Sequence, residues 1–390
     1  MQGILDKEAQ AELLRRGFSR RSFGRIATLL GAGAALPFYN EPALAQLSMV
    51  RNLPPDAVKI NANENPLGPS AVAADAIREI VASGGRYMYE KTFDLAETLA
   101  EQEGLKFSWN QKESYVAIFA GSSAPLHRTV LAYCDKDKPF VVADPGYEAG
   151  GRAAEFIGAK TIKVPLRKSD YAHDVKAMAA ASPTAGVIYL CNPNNPTGTV
   201  TPQADIEWLV ANKPKGSIIL LDEAYIHFAE KTQKNAQFVA QDKEVIVLRT
   251  FSKLYGMAGL RAGAALGRPD LLQPIYKYGA GAMPLTAMVG ANVSLKEKGL
   301  IEKRRAFMTG VRAETFSFLA KNNIEFIPSD ANMFMMNVKR PGKQFYAAMA
   351  KQSVYVGRVW PAMPEWVRVS VGTPDEMSKF QTACLKCYEA

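Results

Sequence analysis

From Tyr115 onward the chain alternates short, nearly continuous apolar runs with longer stretches whose apolar positions recur at helical spacing. The runs are Tyr115 to Phe119, Phe140 to Ala143, Gly186 to Leu190, Ser217 to Leu221, Val245 to Leu248 and Ala262 to Leu266. Runs this short, without polar alternation, predict strands buried on both faces, hence a mostly parallel sheet covered by helices. The expected fold class is α/β.

Polar, chemically specific residues follow five of the runs. They are Gly121-Ser122-Ser123, Asp144-Pro145-Gly146-Tyr147, Asn192-Pro193-Asn194-Asn195-Pro196-Thr197-Gly198, Asp222-Glu223-Ala224-Tyr225 and Thr250-Phe251-Ser252-Lys253. Ligands of such sheets collect at the carboxyl ends of the strands, so these segments are expected to share one site. After Pro284 the pattern changes to long charged helices, Leu295 to Asn322, then strand-like pieces at Asn332 to Val338 and Val367 to Val371 and a helical tail from Met377 to Tyr388. This predicts an arm with part of a small domain at 46–85, a large domain at 86–285 and a small α+β domain at 286–390.

The chain has 390 residues, is 48% hydrophobic and carries 47 basic against 38 acidic side chains, enough to bury a substantial core and to divide into two domains. The net charge of +9 is spread without Lys/Arg blocks, which argues against a nucleic-acid partner. His127, His173 and His227 lie far apart without liganding neighbours, and no metal is expected. Cys384 and Cys387 form one Cys-x-x-Cys with no second pair; two cysteines on one helical face are the plainer reading, a disulfide the other.

Residues 1–45 read as an export signal. Ser19-Arg20-Arg21-Ser22-Phe23 precedes a weakly apolar run, Ile26 to Leu36, then Pro37 and Ala43-Leu44-Ala45-Gln46. The paired arginines resemble a twin-arginine signal, with Gly24 where a larger apolar residue is usual. The run is too short to span a bilayer, so no stable membrane insertion is expected. A mature chain starting near Gln46 would reside in the periplasm; the competing reading, an amphipathic helix from Ile4 to Phe18, leaves the protein in the cytoplasm.

In the segment Thr250-Phe251-Ser252-Lys253-Leu254-Tyr255-Gly256-Met257-Ala258-Gly259-Leu260-Arg261, a Ser-Lys is followed eight residues later by an arginine. Together with the other strand-end motifs this resembles the class I and II aminotransferases of fold type I. The resemblance extends from Asn63-Glu64-Asn65-Pro66-Leu67-Gly68 to Arg368-Val369-Ser370-Val371-Gly372-Thr373. It implies pyridoxal phosphate as cofactor, bound by Lys253 as a Schiff base, with Lys253 also the general acid/base. Asp222 would face the pyridine nitrogen, Tyr225 and Asn195 the phenolate oxygen, and Tyr147 the ring. Arg261, Thr250, Ser252 and the segment Ser122, Ser123 and Ala124, at an expected helix start, would hold the phosphate.

Asn63 to Gly68, Arg86-Tyr87 and Ser329-Asp330-Ala331-Asn332 are most similar to the histidinol-phosphate aminotransferase branch. That branch implies a homodimer in which Tyr87 reaches the neighbour's cofactor phosphate, although Met88 replaces the usual proline. Arg368 would bind the substrate α-carboxylate, with Arg358 and Asn332 also at the substrate. Arg358 lies near a second arginine that contacts substrate phosphate in that branch, but its spacing to Arg368 is short and Trp360-Pro361 is unusual.

The expected reaction is a ping-pong exchange between an amino acid and a 2-oxo acid. Histidinol-phosphate transamination proper and decarboxylation of the threonine-phosphate type remain open, since the same lysine serves both. A cofactor-sensing DNA-binding regulator would need a helix-turn-helix, and the N-terminus reads instead as a signal.

Overall fold

The computed structural model describes residues 53–230, 234–279 and 282–388; the export segment and Gln46 lie outside them. Twelve strands are described: β1 Val58–Ile60, β2 Val116–Phe119, β3 Phe140–Asp144, β4 Thr161–Pro165, β5 Val187–Cys191, β6 Ile218–Asp222, β7 Val245–Thr250, β8 Gly263–Gly267, β9 Phe326–Ile327, β10 Met333–Asn337, β11 Val354–Val356 and β12 Trp366–Ser370. Seven of them form one sheet in the order β2-β8-β7-β6-β5-β3-β4, in which only β8 runs antiparallel to its neighbours.

Every residue of β5, β6 and β7 is buried, as two covered faces require. Successive side chains divide between two cores: Val187, Tyr189, Cys191, Leu220 and Leu248 on one face, Ile188, Leu190, Leu221 and Val247 on the other. Asp222 follows Leu220 at the two-residue period and pairs in register with Cys191, which brings it onto the Tyr189 face.

The C-terminal third forms a three-stranded antiparallel sheet, β12-β10-β9, and β1 pairs with β11 in a two-stranded parallel sheet. Helices Leu300–Lys321, Gly342–Lys351 and Pro374–Tyr388 belong to the same part. The long charged helices expected over Leu295 to Asn322 are Leu285–Lys296, which starts earlier than expected, and Leu300–Lys321. Glu297 turns extended and Gly299 adopts the left-handed conformation that glycine reaches without a Cβ clash, which ends one helix and reorients the next. Cys384 and Cys387 are free thiols buried on the last helix; burial pushes Cys384 up to about 12, which makes it unreactive.

Candidate active site

Because β2, β3, β5, β6 and β7 run parallel, their carboxyl ends lie along one rim, and the segments that follow them line a single cavity of about 660 Å³. Ser122, Ser123, Tyr147, Asn195, Asp222, Tyr225, Thr250, Ser252, Lys253 and Arg261 contribute from the large sheet, Arg358 and Arg368 from β12 and its approach. The lining carries five basic side chains, counting Lys59, against two acidic ones, Glu64 and Asp222, a balance suited to an anionic ligand.

Asp222 is 4% exposed. Its Oδ2 accepts from Tyr189 Oη at 2.9 Å and its Oδ1 from the Ala224 N–H at 3.1 Å. Burial nevertheless pushes its pKa up to about 6, against the pull of these bonds and of Lys253. A carboxylate so placed is stabilised by any cation set against it. Lys253 Nζ lies 3.1 Å from Asn63 O and 5.7 Å from the centre of the Tyr225 ring.

Tyr225 Oη accepts from Asn63 Nδ2 at 3.1 Å and Asn195 Nδ2 at 3.4 Å, so the tyrosine proton remains available to the cavity. Burial raises the Tyr225 phenol well above its ordinary range, which keeps it a donor. Asn63 itself stands at φ 53, a left-handed position that asparagine tolerates, and is fixed by Ser370 Oγ, which accepts from its N–H at 2.8 Å and donates to its Oδ1 at 3.0 Å.

Arg261 adopts φ 67, a strained conformation for a bulky residue. Its guanidinium crosses Gly121, where a Cβ would collide with it, and Nη1 donates to Ala258 O at 2.9 Å and Ser252 Oγ at 3.3 Å. Ser122 and Ser123 open the helix Ser123–Tyr133 beside it, presenting its first amides.

Arg368 donates from Nη1 to Asn195 Oδ1 at 3.0 Å and from Nη2 to Asn61 O at 2.7 Å, while its buried Nε has no partner. Burial, and then neighbouring Arg358, push its pKa down to about 10, so an incoming anion is favoured. Arg358 Nη2 meets Glu148 Oε2 at 2.8 Å. Both guanidiniums lie over Trp360, at 4.7 Å for Arg358 and 5.3 Å for Arg368.

Three expected site residues stand outside the lining. Ala124 lies one residue into the helix, with its side chain toward the core. Asn332 is fully buried behind the Asn63 segment and donates to Asn63 O at 3.1 Å and Glu64 O at 3.2 Å. Tyr87 is 70% exposed and stacks on Tyr89 at 5.2 Å. Conversely, Asn63, Tyr189, Glu148 and Trp360 were not among the expected site residues. Tyr189 carried a signal, a phenol at an interior position of an apolar strand; the others act across long sequence separations.

An amine, a buried acid, an anion cradle and an unsatisfied buried guanidinium thus share one cavity, and residues 55–383 match the family described as aminotransferase class I and II. The chain belongs to that family. This aminotransferase is 32% identical over 334 residues to the histidinol-phosphate aminotransferase of Symbiobacterium thermophilum, covering 84% of this chain and 90% of the other. It is 31% identical over 328 residues to the aromatic amino acid aminotransferase of Rhodococcus jostii, covering 84% and 89%. The crystal structure of histidinol-phosphate aminotransferase from Sinorhizobium meliloti in complex with pyridoxal-5'-phosphate superposes with a TM-score of 0.76, covering 85% of this chain and 90% of that one; at 23% identity this likeness concerns the fold.

The aminotransferase is of the histidinol-phosphate aminotransferase-like type, with fold type I architecture and pyridoxal phosphate as its cofactor. The residues present fit that cofactor. The raised Asp222 acid awaits a cation, Gly121 leaves room for a guanidinium beside a helix start, and Arg368 Nε awaits an anion.

Proposed function

We propose that this aminotransferase moves an amino group from an amino acid to a 2-oxo acid in two half-reactions at the one cavity, a ping-pong scheme. The observation that carries the reading is the convergence of Lys253, Asp222, Arg261 and Arg368 on that cavity. When bound, pyridoxal phosphate supplies an electron sink conjugated to the substrate nitrogen. Asp222, oriented by Tyr189 and the Ala224 N–H, would hold the proton on the ring nitrogen. Tyr225, steadied by Asn63 and Asn195, would donate to the phenolate oxygen, and Tyr147, in the cavity lining, would pack on the ring. Arg261, Thr250, Ser252 and the amides of Ser122, Ser123 and Ala124 would hold the phosphate.

Lys253 would tether the cofactor, and its amine would be the base that takes the proton from the substrate Cα. Arg368 receives the α-carboxylate, with Nε, which has no partner, among its unused donors. Asn332 contributes by fixing the Asn63 carbonyl. Lys253→Ala is expected to lose the cofactor's visible absorbance and to cut turnover by about 10²-fold or more. Turnover at the wild-type rate would remove Lys253 from this role.

A homodimer sharing residues between sites is part of the proposal. Its support is a set of exposed apolar side chains within residues 67–89, namely Leu67, Val72, Val81, Tyr87 and Tyr89. Export to the periplasm is proposed on the paired arginines and the signal-like order of residues 19–46. N-terminal sequencing of protein from the periplasmic fraction should find a start near Gln46, whereas an intact N-terminus on cytoplasmic protein would refute export.

A further inference from the structure

Arg358 reaches the cavity from the segment before β12, where a free guanidinium would be a receptor for a phosphate group. In this chain it is not free. Its Nη2 lies 2.8 Å from Glu148 Oε2, with side-chain exposures of 13% for the arginine and 33% for the glutamate, so the pair is only partly screened. The indole of Trp360 lies under the same guanidinium at 4.7 Å and is anchored by its Nε1, which donates to Gly146 O at 3.1 Å. Arg358 is therefore fixed twice to the turn after β3, once by charge at Glu148 and once through Trp360 at Gly146.

Arg368 is partly engaged as well: one N–H on each terminal nitrogen goes to Asn195 and Asn61, and the rest of its fork, Nε included, is left for the α-carboxylate of an amino acid. A phosphate dianion brought to Arg358 would have to displace the Glu148 carboxylate and then lie beside it, like charge against like charge. A donor without a phosphate meets a neutral ion pair there and displaces nothing.

Resting on the aminotransferase reading, we infer that Glu148 is a specificity-determining residue that neutralises Arg358 and turns the site against donors that carry a phosphomonoester, whether in place of the α-carboxylate, as in histidinol phosphate, or on the side chain, as in O-phosphothreonine. A repulsive element of this kind sets specificity by a difference between ligands.

The test uses the holoenzyme and its Glu148→Gln variant, with Glu148→Ala as a second. Absorbance of the cofactor follows the first half-reaction with a panel of neutral amino acids, histidinol phosphate and O-phosphothreonine. Wild type should prefer its best neutral donor, and each variant should shift the kcat/KM ratio toward the phosphorylated donors by about tenfold or more. An unchanged melting temperature and cofactor band certify that the variants are folded. Calorimetric titration with O-phosphothreonine reads the same charge effect without chemistry, as tighter binding by the variants. Wild-type preference for a phosphorylated donor, or no shift in either ratio or affinity, overturns the inference. Absence of turnover with every donor while the affinity still shifts would instead defeat the aminotransferase reading and leave the role of Glu148 standing.

Discussion

Asp222 shows how one side chain trades stability for chemistry. Its carboxyl is raised from 3.8 to about 6 in the cofactor-free fold because burial outweighs the Tyr189 and Ala224 hydrogen bonds. A group raised on folding favours the folded state fully below its unfolded pKa and loses that contribution as pH rises through the folded value. Ionised Asp222 therefore costs about 3 kcal/mol above pH 6, a cost a cationic ring nitrogen would offset. Cofactor-free Asp222→Asn is expected to melt higher than cofactor-free wild type at pH 8, with the difference fading toward pH 4. Its turnover with cofactor should fall by about 10²-fold or more. A melting difference that ignores pH would place the stabilisation elsewhere. Arg261 makes a similar trade in the backbone, holding φ 67 where its guanidinium can cross Gly121.

Among the elements, the six apolar runs were legible because central strands of a covered sheet contain little else, and each run matches a strand to within a residue or two. β4 escaped notice because it is an edge strand: Lys163 and Pro165 break its apolar character and its burial is mixed. β1 and β11, three residues each, are too short to show a period. The reverse direction of β8 left no trace, since an apolar run carries no sense of direction. The seventh-strand boundary is instructive in another way. The run was expected to stop at Leu248, yet β7 continues through Arg249, whose buried guanidinium is matched by Glu103 at 2.9 Å and by Glu223. A charge reads as a strand end unless its partners, here on a distant helix and the neighbouring strand's exit, are known. The site obeyed the same division. Lys253, Asp222 and Tyr225 were readable because they directly follow strand runs, whereas Glu148 acquires its meaning only when residue 358 folds back upon it.

At the scale of the whole molecule, the cavity is closed from two sides: the large sheet supplies one wall, and the Asn61–Asn63 segment, pinned to β12 through Ser370 and Arg368, supplies the other. The exposed Tyr87 and Tyr89 belong to neither wall, which suits service to a second copy. If Tyr87 acts across a dimer, Tyr87→Phe protein should be impaired, and co-expression with inactive Lys253→Ala chains should restore activity, because each hybrid pairs one intact lysine with the other chain's tyrosine. No recovery in purified hybrids would refute sharing between subunits. One consequence of the reversed β8 concerns measurement rather than chemistry. The chain leaves the sheet after Thr250 and re-enters at Gly263, directly opposite in register, so Lys253 and Arg261 belong to one hairpin loop. On the proposed reading that loop is a gauge: the length of cofactor the protein admits is set by the span between two residues of a single turn, untouched by any sliding of one domain over the other.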